Sequence, residues 1–278
     1  MTKIDMGRYG IWRGWSQLTP ELAREVEALG YGAIWIGGSP TDPDVADRLL
    51  AATERITVAT GIVNMWATPA AEAAASYRRL RDAHGERFVL GVGVGHREAT
   101  QEYRAPYEMI VDYLDRLDAA DVPEDGRVLA ALGPKVLRLA AERTAGAHPY
   151  LVTPEHTRRA RAELGDGRLL APEQKVVLDA DPERARAVGR AQVANPYLKL
   201  RNYTANLERL GWADEDIAGD GSDALIDALA PHGEPAAVAA ALEAHHDAGA
   251  DHVAVQLLTE AGRDPVPGLR TLAAELGL

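Results

Sequence analysis

At 278 residues with 46% apolar side chains, the chain is long enough for one large α/β domain and too apolar for disorder. Its 42 acidic against 30 basic residues leave a net charge of -12, which argues against nucleic acid or an anionic membrane as partner. It has no cysteine, which excludes disulfides, thiolate metal sites and a cysteine nucleophile. No apolar run nears the roughly 20 residues that cross a bilayer, and no signal core opens the chain, so a cytoplasmic protein is expected.

In chain order, residues 8–13 form a first strand, and Thr19-Pro20-Glu21 opens a helix, with threonine as cap and proline in the first turn. Residues 33–37 are a second strand and 44–52 a second helix. The third strand lies in residues 55–69, where Ile56, Val58, Ile62 and Val63 are β-branched and Gly61 interrupts them, the mark of a bulge or of a backbone that approaches something closely. Residues 87–95 are strand four, with a helix behind them carrying Tyr107, Ile110, Leu114 and Leu117 on one face. Residues 127–133, 147–152, 175–178 and 252–258 complete the strands. Helices are expected over 134–145, 158–164, 225–229, 235–248 and 269–276, with one longer helical region from 182 to about 210. Eight alternations of strand and helix, with strands apolar on both faces, predict a single (β/α)8 TIM barrel over 1–278. Reactive groups then belong just after the strands, at the carboxyl end of the barrel.

Several motifs carry two readings. Gly91-Val-Gly-Val-Gly95 fails as a dinucleotide fingerprint because His96 stands where the third glycine is needed, and it reads better as a strand packed tightly against its neighbours. His96 is either a proton donor, given its ordinary pKa near 6.5, or a solvated loop residue. Thr153-Pro154-Glu155-His156 is either a phosphate site at a helix start or routine helix punctuation of the kind also seen at Thr19 and Thr68. Leu132-Gly133-Pro134-Lys135 has similar value. His245 and His246 are adjacent, so they diverge on a helix and make no metal pair.

Taken together, Gly-Tyr-Gly-Ala-Ile-Trp-Ile-Gly-Gly-Ser-Pro (30–40), Ala-Thr-Gly-Ile-Val-Asn-Met-Trp (59–66), Phe-Val-Leu-Gly-Val-Gly-Val-Gly-His (88–96), Leu-Ala-Ala-Leu-Gly-Pro-Lys (129–135) and Gly-Ala-His-Pro-Tyr-Leu-Val-Thr-Pro-Glu-His (146–156) resemble the bacterial luciferase-like superfamily. More closely, they resemble its oxidoreductases that use the deazaflavin coenzyme F420. The resemblance implies a cis peptide bond at Gly61-Ile62 beneath the coenzyme ring, with Asn64, Gly95 and His96 facing the ring or substrate. It implies that Ala131, Leu132, Gly133, Val152, Thr153, Pro154, Glu155 and His156 hold the ribityl chain and phosphate. It also implies hydride transfer to or from a small organic substrate, with His96 delivering the proton and Trp12, Ser39 and Trp66 walling the substrate. Lys135, Arg138, His156, Arg158 and Arg159 are expected to make a positive region for the coenzyme on this acidic chain. An FMN-dependent monooxygenase and a catalytically idle flavin-binding relative are the alternatives on the same scaffold. A homodimer is the expected assembly, and no metal is.

Overall fold

The computed structural model describes residues 4–40, 44–95, 106–260 and 262–278. Ten strand segments form one sheet: β1 (Tyr9–Gly14), β2 (Ala33–Gly37), β3 (Thr57–Gly61), β4 (Val63–Asn64), β5 (Phe88–Gly93), β6 (Arg127–Leu129), β7 (Gly146–Ala147), β8 (Leu169–Leu170), β9 (Glu173–Val176) and β10 (Val253–Leu257). Every pairing is parallel, in the order β8-β7-β6-β5-β3-β2-β1-β10-β9, with β4 also on β5. The two ends of that order, β8 and β9, are halves of one strand parted only by Ala171 and Pro172. Ala171 N–H donates to Ala147 O on one side (2.9 Å), and Ala254 N–H donates to Pro172 O on the other (2.9 Å). The sheet therefore closes. Because β3 and β4 are likewise halves of one strand, the ring has the expected eight.

The break between β3 and β4 is a bulge. Ala59 pairs Val89 and Val63 pairs Val92, so four steps along one strand match three along the other. One extra residue is accommodated at 60–62, where Gly61 stands and where the Gly61-Ile62 peptide bond is cis. Thr60 repairs the gap with its side chain: its hydroxyl donates to Gly91 O and accepts from Gly91 N–H, both at 2.8 Å.

Inside the ring, Ala33, Trp35, Ala59, Val89, Val128, Ala171 and Ala254 pack as one apolar plug. Trp35 stacks on His148 (3.9 Å between centroids, 10° between planes) and donates from Nε1 to His252 Nε2 at 3.0 Å. The larger core lies between the strands and the outer helices, where Leu22, Leu50, Leu80, Leu114, Leu242 and Leu272 are buried. Helix starts follow the sequence signals. Proline opens the helices Pro20–Ala28, Pro134–Arg143, Pro154–Leu164, Pro182–Val193 and Pro235–Asp247, and the side chains of Thr19, Thr153 and Asp181 accept the first amides. Thr68 does not cap its helix, whose flanking residue is Pro69.

The long helical region expected to reach residue 210 is two helices. Pro182–Val193 stops just before Pro196, which can neither donate a backbone bond nor fit its ring against the preceding turn, and a second helix, Arg201–Leu210, follows. The segment between these helices and the following helix, Asp223–Leu229, also holds the turn of helix Asp214–Ile217. This excursion buries Leu198, Leu200, Tyr203, Leu207 and Leu225 in a core of its own. Among the described residues no helix is long and apolar enough to cross a membrane.

Candidate active site

A cavity of about 580 Å³ lies at the carboxyl end of the ring. Its border follows the strands. Trp12 comes from β1, Gly38 and Ser39 follow β2, Gly61, Ile62 and Asn64 come from the bulge, Gly95 follows β5, Ala131, Leu132 and Gly133 follow β6, and His148 and Tyr150 follow β7. The excursion supplies the remaining side: Tyr197, Asn202, Tyr203 and Arg209.

Small residues set this shape. A Cβ on Gly37 would lie 2.1 Å from the Trp12 ring, so glycine there is what gives the indole its place. Gly38 and Ser39, at φ +80° and +48°, turn the chain sharply at the end of β2 and leave Ser39 on the wall. A Cβ on Gly95 (φ +59°) would lie 2.7 Å from the Asn64 side chain, whose oxygen accepts from Trp66 N–H at 2.9 Å.

Aromatic rings dominate one side. Trp12 lies 5.1 Å from Tyr150, Tyr150 lies 5.2 Å from Tyr197, and Tyr197 lies 5.1 Å from Tyr203. Behind them a fully buried ion pair joins Lys175 to Glu173 at 3.1 Å, with the ammonium 3.9 Å from the Tyr150 ring centre. Tyr197 donates to Tyr150 (3.0 Å), and Tyr150 donates to Gln256 Oε1 (3.1 Å).

Polar groups on the floor are few and defined. His148 Nδ1 lies 2.7 Å from Ala171 O; a carbonyl only accepts, so Nδ1 carries the proton. Burial pulls the His148 pKa down to about 3, so the ring is neutral and Nε2 is bare. Nε2 and the indole nitrogen of Trp12 have no hydrogen-bond partner among the described residues, and both point at Gly61, about 3 Å from where its Cβ would be. At the other end the helix Pro134–Arg143 starts at Gly133 with no side-chain cap. Lys135 lies there with its ammonium 3.5 Å from the Tyr107 ring centre, and Arg209 reaches Asn206 Oδ1 at 3.2 Å. Neither cation pairs with a carboxylate among the described residues, in a chain that neutralises most of its others.

Of the residues expected at the site, Trp12, Ser39, Gly61, Ile62, Asn64, Gly95, Ala131, Leu132 and Gly133 line this cavity. Trp66, Val152, Thr153, Pro154, Glu155 and His156 do not. The Asn64 turn carries Trp66 past the lining, while strand β7 ends at Ala147, so 152–156 fall beyond the rim. Thr153 caps its own helix, and His156 reaches the cavity only through Leu132, whose carbonyl accepts from its Nε2 at 2.9 Å. Most of the expected positive region is paired with carboxylates. Arg158 and Arg159 are tied to Glu155 (2.5 and 2.8 Å), Arg138 is tied to Glu163 (2.5 Å), and burial lowers the His156 pKa to about 4. Lys135 stays, joined by Arg209. His96 lies outside the described residues. His148, Tyr150, Tyr197, Asn202, Tyr203 and Arg209 were not anticipated. The first two could have been found by ending strand six at Ala147, but the other four come from the excursion, and no local signal marks its path.

Residues 17–121 match the family model described as luciferase-like monooxygenase. That match makes this stretch similar to the luciferase-like family. The barrel superposes along nearly its whole length on several solved structures. One is an F420-dependent secondary alcohol dehydrogenase in complex with an F420-acetone adduct (TM-score 0.76, 14% identity, covering 97% of this chain and 98% of that one). Another is the coenzyme F420-dependent tetrahydromethanopterin reductase of Methanopyrus kandleri (0.70, 17%, 97% and 98%). A third is the oxygenating constituent of 3,6-diketocamphane monooxygenase from Pseudomonas putida in complex with FMN (0.70, 14%, 97% and 97%). At these identities the likeness is one of fold. No curated protein matches the chain by sequence.

Proposed function

We propose that this chain is an oxidoreductase that uses the deazaflavin coenzyme F420 to move a hydride to or from a small organic substrate. One observation carries the reading: a single cavity joins an apolar, aromatic-walled end suited to a planar ring with an end where Lys135, Arg209 and an uncapped helix start await an anion. The open space at Gly133, where a Cβ would meet nothing nearer than Arg209 at 3.9 Å, fits a phosphate oxygen.

When bound, the coenzyme supplies a carbon, C5, that gives or accepts hydride. The chain does the rest. Gly61 and Ile62 offer a backbone ledge, and Gly95, Ala131 and Leu132 leave a channel for the ribityl chain. Lys135 and Arg209 hold the phosphate. Trp12, Ser39 and Tyr150 wall the substrate and keep water out, while Asn64 fixes the turn that shapes the ledge. His96, adjacent in sequence to Gly95, is the proposed proton donor.

The description of the matched family model, and the FMN complex among the similar folds, favour a second reading as an FMN-dependent monooxygenase. Titrating the purified chain with F420 and with FMN, following absorbance and fluorescence, separates the two. Saturable binding of F420 with negligible FMN binding is expected; the reverse result selects the monooxygenase, and turnover with neither, despite an intact barrel, selects the idle flavin-binding relative.

A further inference from the structure

A second cavity, about 510 Å³, opens beside β1 and β10 and shares Trp12 with the first. Arg13, the residue after Trp12, lines it. Most described arginines in this acidic chain face carboxylates, among them Arg184 with Asp179 (2.7 Å), Arg186 with Asp227 (2.6 Å) and Arg161 with Asp251 (2.6 Å). Arg13 makes no ion pair among the described residues, and its Nε is buried with no hydrogen-bond partner. Burial lowers its pKa, and the charge of Asp264 only partly offsets this. A half-buried guanidinium left unpaired is costly, and its planar fork matches a carboxylate through two parallel bonds.

The rest of the lining narrows the occupant. Gln17, Gln192 and Gln256 bring amides. The Gln256 oxygen is taken by the Tyr150 hydroxyl, which leaves its amide nitrogen as a donor for this cavity. Arg263 and Arg13 stand against Glu260 and Asp264, so the lining is formally neutral. A dianionic phosphate would meet two carboxylates at once, whereas a single negative charge can sit on the Arg13 fork and keep them at a distance.

We propose that this cavity is a carboxylate subsite, and that the substrate is a carboxylic acid held by Arg13 with its reactive carbon reaching past Trp12 into the first cavity. Only the identity of the occupant as substrate rests on the redox reading; the subsite itself does not.

The test uses the full chain without coenzyme, labelled with nitrogen-15, and follows the arginine Nε–H resonances, with that of Arg13 assigned by its loss in Arg13→Gln. Benzoate should shift the Arg13 signal, and benzamide, the same shape without the charge, should bind at least about tenfold more weakly. Arg13→Gln should weaken benzoate binding by about 10- to 100-fold, the range for a lost charge-assisted pair, and Arg13→Lys, which keeps the charge without the fork, should fall between. Thermal unfolding checks that both variants are folded. Equal binding of benzoate and benzamide, benzoate binding that survives in Arg13→Gln, or tighter binding of inorganic phosphate than of benzoate each overturns the proposal. Unchanged F420 binding by Arg13→Gln is expected, so a failed subsite and a failed coenzyme assignment give different results.

Discussion

Lys135 and Arg209 are the residues on which the coenzyme assignment is most exposed to test. Neither pairs with a carboxylate among the described residues, in a chain of net charge -12, and both border one end of the cavity. If they hold a phosphate, Lys135→Ala and Arg209→Ala should each weaken F420 binding by about 10- to 100-fold, in line with roughly 1.5–3 kcal/mol for a hydrogen bond to a charged group. The same substitutions should leave binding of the deazaflavin chromophore lacking its phosphate unchanged. Equal losses for both ligands would move the phosphate elsewhere. Nine of the residues that border the cavity were legible because they sit at or just beyond the carboxyl ends of strands whose apolar patterns are clear, as with Gly61 at the end of β3 and Gly95 beyond β5. Val152 to His156 lie outside the cavity lining for a related reason: Pro149, Tyr150, Leu151 and Val152 look as strand-like as Gly146 and Ala147, and only the pairing partner decides where the strand stops. Arg209 was invisible because its place depends on where a helix sixty residues past β7 comes to rest.

At the scale of elements, the Thr60 and Gly91 contact shows how the bulge is held. The ladder between β3 and β5 lapses after Ala59, and the Thr60 hydroxyl replaces the missing backbone partners of Gly91. A Cβ on Gly91 would lie 1.9 Å from Thr60 O, a backbone atom that has nowhere to go. Gly91→Ala should therefore destabilise the chain by about 2–3 kcal/mol, as overpacking a tight core does. Thr60→Val, which keeps the volume but strands two buried backbone groups, should cost about 1–3 kcal/mol. Urea unfolding of both, with Gly14→Ala as a control at a position of ordinary φ (-56°) where a Cβ would meet nothing nearer than Gln17 at 3.9 Å, measures the difference. Tight strand packing was the sequence reading of 91–95, and it holds for Gly91. The eight-fold alternation was legible for the same reason: buried parallel strands must be apolar on both faces. What escaped was the split of strand seven at Pro172 and of the 182–210 helix at Pro196. Proline announces a break, but whether the chain resumes the same element or turns away is set by packing partners distant in sequence.

For the molecule as a whole, the buried histidines govern how stability responds to pH. Burial holds the pKa values of His148 and His245 down to about 3 and those of His156 and His252 down to about 4. Unfolded, each would titrate near 6.5. Below that value the unfolded chain takes up protons that the folded chain refuses, so stability present above pH 6.5 is lost as pH falls toward 4. With four such groups the slope should approach about 5 kcal/mol per pH unit near pH 5, at about 1.4 kcal/mol for each proton. An opposing effect exists, since acid also reduces the net negative charge and its self-repulsion. Those charges are mostly exposed and screened over about 8 Å at physiological salt, so the histidines should win. Carboxylates held low by arginines, among them Asp118 and Asp227, add to the loss only at lower pH. Urea unfolding at a series of pH values from 7 to 5 should show stability falling throughout, and His245→Gln, less stable at pH 7, should lower the slope by about one proton. A flat profile over that range would mean that the four rings are charged, or open to water, in the folded protein.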